Sequence, residues 1–501
     1  MANSTPTVGE PPIAELQGSV AVSAARGVAW MGLDSTVNQA VSLGVFIVLG
    51  RLLEPRAFGL VASAAVVLWL LRVVVDQGFS SALIQRGQLT SIDIDTAFWT
   101  AVVTGTAVAA LTVATAPLIA DLFSQPRLAA VMRVVSVVFV LAALDGTQSA
   151  LLTRAMDFRS QAIRRLAATF VSAVAAIVLA ATGAGVWALV AQLVTFESVS
   201  VVLLWSLADW RPSFRFSRAS FRELLTFGAS VTGIRFLTNV GGNADNLLIG
   251  VVIGPLALGY YVIAFRVMTV INQVLALTLL QVVFSAFSRL RSDPDALNDA
   301  FYRSSNLVSA VAFPIYAGLA IVAHPLIVAV FGAKWTPSAP VLEALTLAGL
   351  VQCQTIFSSQ YAIALGKVHN ELRWTTLLVA GQLVGFAIAV SFGIVAVALS
   401  LGIVLAVAWP VRLMWLRRFG GLSPREYFRP YPRLVGATVA MAAAVIGAGQ
   451  LVTDHGSVIQ LAVQIPVGVV VYALALLLLA RREAMAVLEG ARNLRRTLRD
   501  D

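Results

Sequence analysis

Residues 228–261, GASVTGIRFLTNVGGNADNLLIGVVIGPLALGYY, set Arg235, Asn239, Asn243, Asp245 and Asn246 inside an otherwise apolar stretch. Charged and amide groups are expensive in hydrocarbon, so at that depth they face a bundle interior or a wet cavity. Arg235, Asn239, Gly242 and Asn246 are spaced i, i+4, i+7 and i+11, which is one helical face. The next apolar stretch carries Arg266, with Asn272 and Gln273 further along it. At the rise of an α-helix, Arg235 falls about 18 Å into its span and Arg266 about 15 Å into the following one. Two arginines at similar depth suit a phosphate or diphosphate, which guanidinium binds bidentately. The alternative is an internal ion pair with Asp34 or Glu197, and both readings stand at this level. The Asn/Gly face either lines a cavity or packs helix to helix. Gly241-Gly242 is expected to loosen the helix there and free carbonyls.

Asp34 and Asn38 repeat the i, i+4 polar spacing in the first apolar stretch. Substrate contacts are therefore expected from Arg235, Arg266, Asn239, Asn243, Asn246, Asn272, Gln273, Asp34 and Asn38. Glu197, Asp145 and Asp245 are the candidates for a coupling proton or cation, or for neutralising Arg133, Arg235 or Arg266. Arg72 and Asp76 read as a local i, i+4 ion pair. Gln148, Gln352 and Gln354 could bind sugar hydroxyls or serve as interhelical glue. Arg133, Glu343 and Arg412 lie near span ends, where long side chains snorkel.

Enzyme chemistry finds no support. Lys334 stands in FGAKW and Lys367 in LGKVH, neither a P-loop. No Ser-His-Asp set or carboxylate pair stands in an exposed loop of adequate size. Cys353 is the one cysteine, and His324, His369 and His455 are isolated, so no metal site is expected. No cofactor is expected either. Transport energy would come from Na+ or H+ coupling, a potential or the substrate gradient.

These side chains must be positioned by membrane helices. The 501-residue chain is 59% hydrophobic and 12% charged, with mean hydropathy +0.86. Soluble domains carry about 25% charged residues, so the expected class is an all-α polytopic membrane protein. A net charge of +10 could mark a nucleic-acid binder, but the basic residues lie in short loops between apolar spans. A window of roughly 20 apolar residues places about fourteen spans. They fall near 28–53, 57–78, 96–119, 128–152, 164–182, 185–207, 223–249, 256–284, 302–324, 338–365, 372–391, 394–416, 433–452 and 457–480. Trp99, Trp187, Trp205, Trp210, Trp335, Trp374 and Trp415 fall near span ends, as interfacial aromatics do. Arg and Lys crowd alternate loops, for example Arg154, Arg159, Arg164 and Arg165, whereas the other set holds only Arg51, Arg56, Arg127 and Lys334. By the positive-inside rule both termini are cytoplasmic. The opposite loops are short, the longest being about 325–337.

The chain repeats itself. Gly32–Asn38 (GLDSTVN) lines up with Gly233–Asn239 (GIRFLTN), and Pro55–Gly59 (PRAFG) with Pro255–Gly259 (PLALG). A cytoplasmic tail, 1–26, would then precede an N-lobe, 27–207, of six spans. A basic linker, 208–222, leads to a C-lobe, 223–416, also of six spans. Residues 417–480 add two nearly featureless spans, and 481–501 form a basic tail. Lobes that start on the same side make a parallel repeat with pseudo-twofold symmetry about the membrane normal.

The opening GVAWMGLDSTVNQAVSLGVFIVLGRLLEPRAFGLVASAAVV resembles bacterial polysaccharide transporters, Wzx-type lipid-linked oligosaccharide flippases of the multidrug/oligosaccharidyl-lipid/polysaccharide exporter superfamily. The segment 51–88, then FGAKWTPSAPVLEALTLAG and LLTRAMDFRSQ, agree, and the likeness covers about residues 20–430, toward the branch serving colanic-acid-type exopolysaccharides. The resemblance implies two six-helix lobes opening alternately around a cationic cavity, in the bacterial cytoplasmic (inner) membrane. The implied cargo is an undecaprenyl-diphosphate-linked oligosaccharide for exopolysaccharide, capsule or O-antigen synthesis. Arg235 and Arg266 fit the head-group contacts, and the two C-terminal spans offer a groove for the polyprenyl tail. Membrane lipids and a polysaccharide polymerase complex are candidate partners; nucleic acid is not. A drug/cation antiporter, which would carry carboxylates at mid-cavity, a lipid II flippase and a non-transport scaffold are the competing readings.

Overall fold

The computed structural model describes residues 36–76, 78–86, 89–289, 293–453, 455–481 and 485. The expected tail 1–26, Asp34 and nearly all of the tail 481–501 lie outside the described residues. Among the described residues every regular element is helical, because a backbone in hydrocarbon must satisfy its own hydrogen bonds. Among the described residues thirteen stretches are long and apolar enough to cross a membrane, and a shorter apolar helix, α1 (Thr36–Leu52), precedes them. The expected class and the span count of about fourteen stand.

After α1 come α2 (Pro55–Asp76), α3 (Phe79–Gln85), α4 (Ser91–Leu122), α5 (Pro126–Val135), α6 (Val137–Arg154), α7 (Phe158–Ala181) and α8 (Val186–Leu207). Then follow α9 (Arg218–Leu248), α10 (Pro255–Arg289), α11 (Pro294–Phe331), α12 (Ala339–Ala364), α13 (Val368–Ala389) and α14 (Ile394–Gly420). The chain closes with α15 (Pro424–Phe428), α16 (Tyr431–Leu451) and α17 (Ser457–Leu479). Proline opens α2, α5, α10, α11 and α15, a position where its missing N–H is no loss. Helix faces that meet are built from small residues, with Ala97, Ala168, Ala176 and Ala188 fully buried, while Val103, Leu118 and Val202 point outward.

Two expectations about the connections need correction. The supposed loop 325–337 is helical: α11 runs through Pro325 to Phe331, and a tight 3-10 turn, Ala333–Ser338, leads straight into α12. Trp335 in that turn is not interfacial but fully buried, edge-on to Phe58 at 5.3 Å. The basic linker 208–222 is held at several points. Ser213 N–H donates to Asp95 (3.1 Å), Trp99 Nε1 donates to the Ser213 carbonyl (2.9 Å), and α9 has begun by Arg218.

By contact the chain divides into two compact units. The first is Met1–Leu52, Val67–Ala120 and Pro126–Phe236; the second is Leu53–Val66, Asp121–Gln125 and Leu237–Asp501. In the first, α3 and α6 pack around Phe79, Leu83, Ala97 and Ala150, and Arg154 donates to the carbonyls of Leu83 (3.0 Å) and Arg86 at the end of α3. A cation there also offsets the helix dipole.

In the second unit the two repeated PxA[FL]G motifs meet each other. A Cβ on Gly59 would lie 1.6 Å from the Pro255 carbonyl oxygen, and one on Gly259 would lie 2.1 Å from that of Pro55. The contact is exchanged between equivalent residues, so backbone meets backbone with no room for a methyl group on either side. Lys334 Nζ donates to the Leu53 carbonyl beside it (2.8 Å). Gly59→Ala and Gly259→Ala should therefore each lower the thermal unfolding midpoint of the detergent-purified protein. Gly44→Ala, with nothing within 4 Å of its Cβ, should leave it unchanged or raise it. Equal midpoints for all three would remove the crossing as a constraint.

Candidate functional site

Among the described residues several charges inside the membrane helices form cross-helix pairs. In the first unit, Arg72 on α2 donates to Glu197 on α8, Nη1 to Oε1 at 2.6 Å and Nη2 to Oε2 at 3.4 Å. Arg164 on α7 holds Asp145 on α6 at 2.6 Å, and Ser200 Oγ adds a donor to the same carboxylate at 3.3 Å. Asp145 also lies within electrostatic reach of Arg72 and Glu197, so the four groups form one cluster of balanced charge. Removing either member of a buried pair would strand its partner, which is why such sets persist.

Arg72 therefore reaches across the bundle to Glu197, while Asp76 accepts from Ser80 Oγ at 2.6 Å, instead of the expected local Arg72–Asp76 pair. Glu197 and Asp145, expected to hold a coupling ion or to neutralise Arg133, Arg235 or Arg266, have Arg72 and Arg164 as their partners. Arg164 had read as a loop cation beside Arg165. Because α7 begins at Phe158, with the Asp157 carboxylate accepting from Ser160 N–H (3.1 Å), Arg164 faces inward and Arg165 outward. Asp157 as an N-cap is the signal that locates this start.

In the second unit, Asp245 is buried and accepts from the Tyr261 hydroxyl (2.7 Å) and the Asn246 backbone N–H (2.8 Å). Asn243 Nδ2 donates to the Asn239 carbonyl (3.0 Å), and the buried Asn246 Oδ1 has no protein partner. Arg235, on the part of α9 that belongs to the first unit, has its side chain outside the described residues. Arg266 is half-buried on α10. Asn272 is committed to other helices: it donates to Gln352 (2.9 Å) and accepts from Tyr316 (2.5 Å) and Cys353 (3.2 Å). Gln273, beside it, is exposed. In the first unit Asn38 accepts from Thr169 Oγ1 (2.6 Å). Gly241-Gly242 does not break α9. Gly241 gives room to Val379, 2.6 Å from where its Cβ would be, and the irregular turn falls later, at Ile249–Ile253.

Arg412 corrects a further expectation. It does not snorkel but is 1% exposed, salt-bridged to Glu371, with its guanidinium over Trp374 (5.2 Å) and Trp415 (5.5 Å). Glu371 was not among the residues singled out from the sequence. Its spacing to Trp374, and that of Arg412 to Trp415, are both i, i+3, which would have put each acid or base on an aromatic face.

An apolar cavity of about 580 Å³ opens in the second unit among α11, α16 and α17, lined by Val311, Pro314, Met441, Gly468 and Val469 with Gln464 and Tyr472 as polar members. Tyr472 spends its hydroxyl on the Ala310 carbonyl, leaving the ring to the lining. Among the described residues no group of His, Cys, Asp and Glu could hold a metal ion.

Residues 48–340 match the family described as polysaccharide biosynthesis protein. The chain is 25% identical to teichuronic acid biosynthesis protein TuaB of Bacillus subtilis (strain 168), over 89% of this chain and 93% of that protein. It is 26% identical to succinoglycan biosynthesis transport protein ExoT of Rhizobium meliloti (strain 1021), over 93% and 95%. Its fold resembles that of lipid II flippase MurJ in an inward closed conformation, with TM-score 0.75 and 14% identity over 91% of this chain and 99% of that one.

The Arg412–Glu371 pair yields an ordered expectation. Glu371→Leu strands a cation that is almost fully buried and should cost about 3 kcal/mol. Arg412→Met leaves only the more exposed carboxylate, which also accepts from Ser359, and should cost less. Thermal unfolding in detergent reads both; an equal loss would mean the pair is not what holds α13 to α14.

Proposed function

The chain belongs to the polysaccharide biosynthesis protein family of multi-pass membrane transporters, and from that premise we propose that it flips an undecaprenyl-diphosphate-linked oligosaccharide. The cargo moves from the inner to the outer leaflet of the bacterial cytoplasmic membrane, with both termini cytoplasmic, for exopolysaccharide, capsule or O-antigen assembly. The observation that carries this reading is the likeness, over nearly the whole chain, to a succinoglycan biosynthesis transport protein.

The chemistry of the chain supports it. A diphosphate head needs cations at membrane depth, and guanidinium meets phosphate with two parallel hydrogen bonds. Arg235 and Arg266 supply them, and the amides of Asn239, Asn243 and Asn246 offer partners for sugar hydroxyls. The polyprenyl tail needs an apolar path that never leaves the hydrocarbon. The cavity bounded by α11, α16 and α17 has that character, and two of those helices, α16 and α17, follow the repeat. Alternating access of the two lobes moves the head while the tail stays in lipid, and an ion gradient or the cargo's own gradient supplies the drive. A polysaccharide polymerase is the partner that consumes the product.

Arg235→Ala and Arg266→Ala should each abolish polysaccharide export when they replace the wild-type protein in cells, with folded protein still present in the membrane fraction. Export that survives both changes at normal expression would remove these arginines from the head-group site.

A further inference from the structure

The two ion pairs of the first unit are not alike. Arg164 and Asp145 are both enclosed, with side-chain exposures of 8% and 18%, and Ser200 completes the carboxylate. In the other pair, Arg72 is 43% exposed while Glu197 is only 8% exposed. The guanidinium therefore shows its open side outward and keeps the carboxylate behind it. Its grip is uneven, with one contact of 2.6 Å and one of 3.4 Å, so a second oxyanion has donors to compete for. One turn along α6 from Asp145, Gln148 is fully buried, and neither its amide nitrogen nor its oxygen has a protein partner. The polar layer around the pairs is incomplete in this conformation.

We propose that the Arg72–Glu197 pair is a counter-ion lock: the diphosphate of the cargo displaces the Glu197 carboxylate from Arg72, and the freed carboxylate takes up a proton. The proposal rests on the head-group reading above and adds a residue pair and a proton to it. Phosphate and carboxylate occupy the same bidentate face of a guanidinium, so one replaces the other without rebuilding the site. Once released, Glu197 has Arg72 of α2 and Asp145 of α6 within electrostatic reach, while Asp76 of α2 acts on Arg72, and Arg164 of α7 and Ser200 act on Asp145. The charged groups of α5, Arg127 and Arg133, are both exposed. Arg164 is already spent on Asp145, and Asp145 repels a second carboxylate. An enclosed carboxylate with no counter-ion is costly, and a solvent proton converts Glu–COO⁻ to Glu–COOH with no other bond changed. Loading of a diphosphate anion is thereby tied to uptake of one proton, and the exchange reverses on release when Arg72 regains Glu197.

The test is calorimetric titration of farnesyl diphosphate into the purified full-length protein in lipid nanodiscs, in two buffers of different ionisation enthalpy. Wild type should take up about one proton per diphosphate bound, as a single released carboxylate requires. Glu197→Gln should bind at least as tightly with no proton uptake. Arg72→Gln should bind roughly tenfold or more weakly, the loss of a charge-assisted hydrogen bond. Binding by wild type without proton uptake overturns the lock and leaves the head-group reading standing, a result that needs no variant to fold. Undiminished uptake in Glu197→Gln, or wild-type affinity in Arg72→Gln, also overturns the lock alone. A wild type that binds no farnesyl diphosphate overturns both.

Discussion

A charge inside hydrocarbon has to be neutralised by something, and here that something is a side chain on another helix. Arg72 with Glu197, Arg164 with Asp145 and Arg412 with Glu371 each join helices that hydrophobicity alone would not hold in register, since lipid is as apolar as leucine. Two of these pairs are enclosed, whereas the third leaves its arginine partly accessible.

The second constraint is steric. The duplicated PxA[FL]G motifs cross with carbonyl oxygens where side chains would otherwise be, and only glycine allows it. A contact exchanged between equivalent residues is what internal duplication predicts when two copies pack about a pseudo-twofold axis. Buried Trp335 and the hydrogen bond from half-buried Lys334 to the Leu53 carbonyl lie at the same end of α2 as the tight backbone approach.

The spans and their order were legible in the sequence because each is written in local hydropathy. The pairings were not. Arg72 and Glu197 are 125 residues apart, and depth along a helix says that a charge is buried without saying which way it points. Arg164 and Arg165 are neighbours with opposite fates, decided by a helix start six residues earlier than hydropathy alone placed it. Hydropathy also stopped α11 at Pro325, because a proline flanked by His324 looks like a terminus when the helix in fact continues to Phe331. Of the candidate site, the polar face of α9 could be read from spacing. The commitment of Asn272 to Gln352, Tyr316 and Cys353 needed the packing of three helices.

A flippase must move a polyprenyl-diphosphate sugar between leaflets. The direct measurement is leaflet exposure in proteoliposomes carrying a fluorescent polyprenyl-diphosphate oligosaccharide and an impermeant quencher. Protein-dependent loss of the quencher-protected pool is the expected result. A protected pool indistinguishable from that of protein-free liposomes, across imposed pH and sodium gradients, would contradict it.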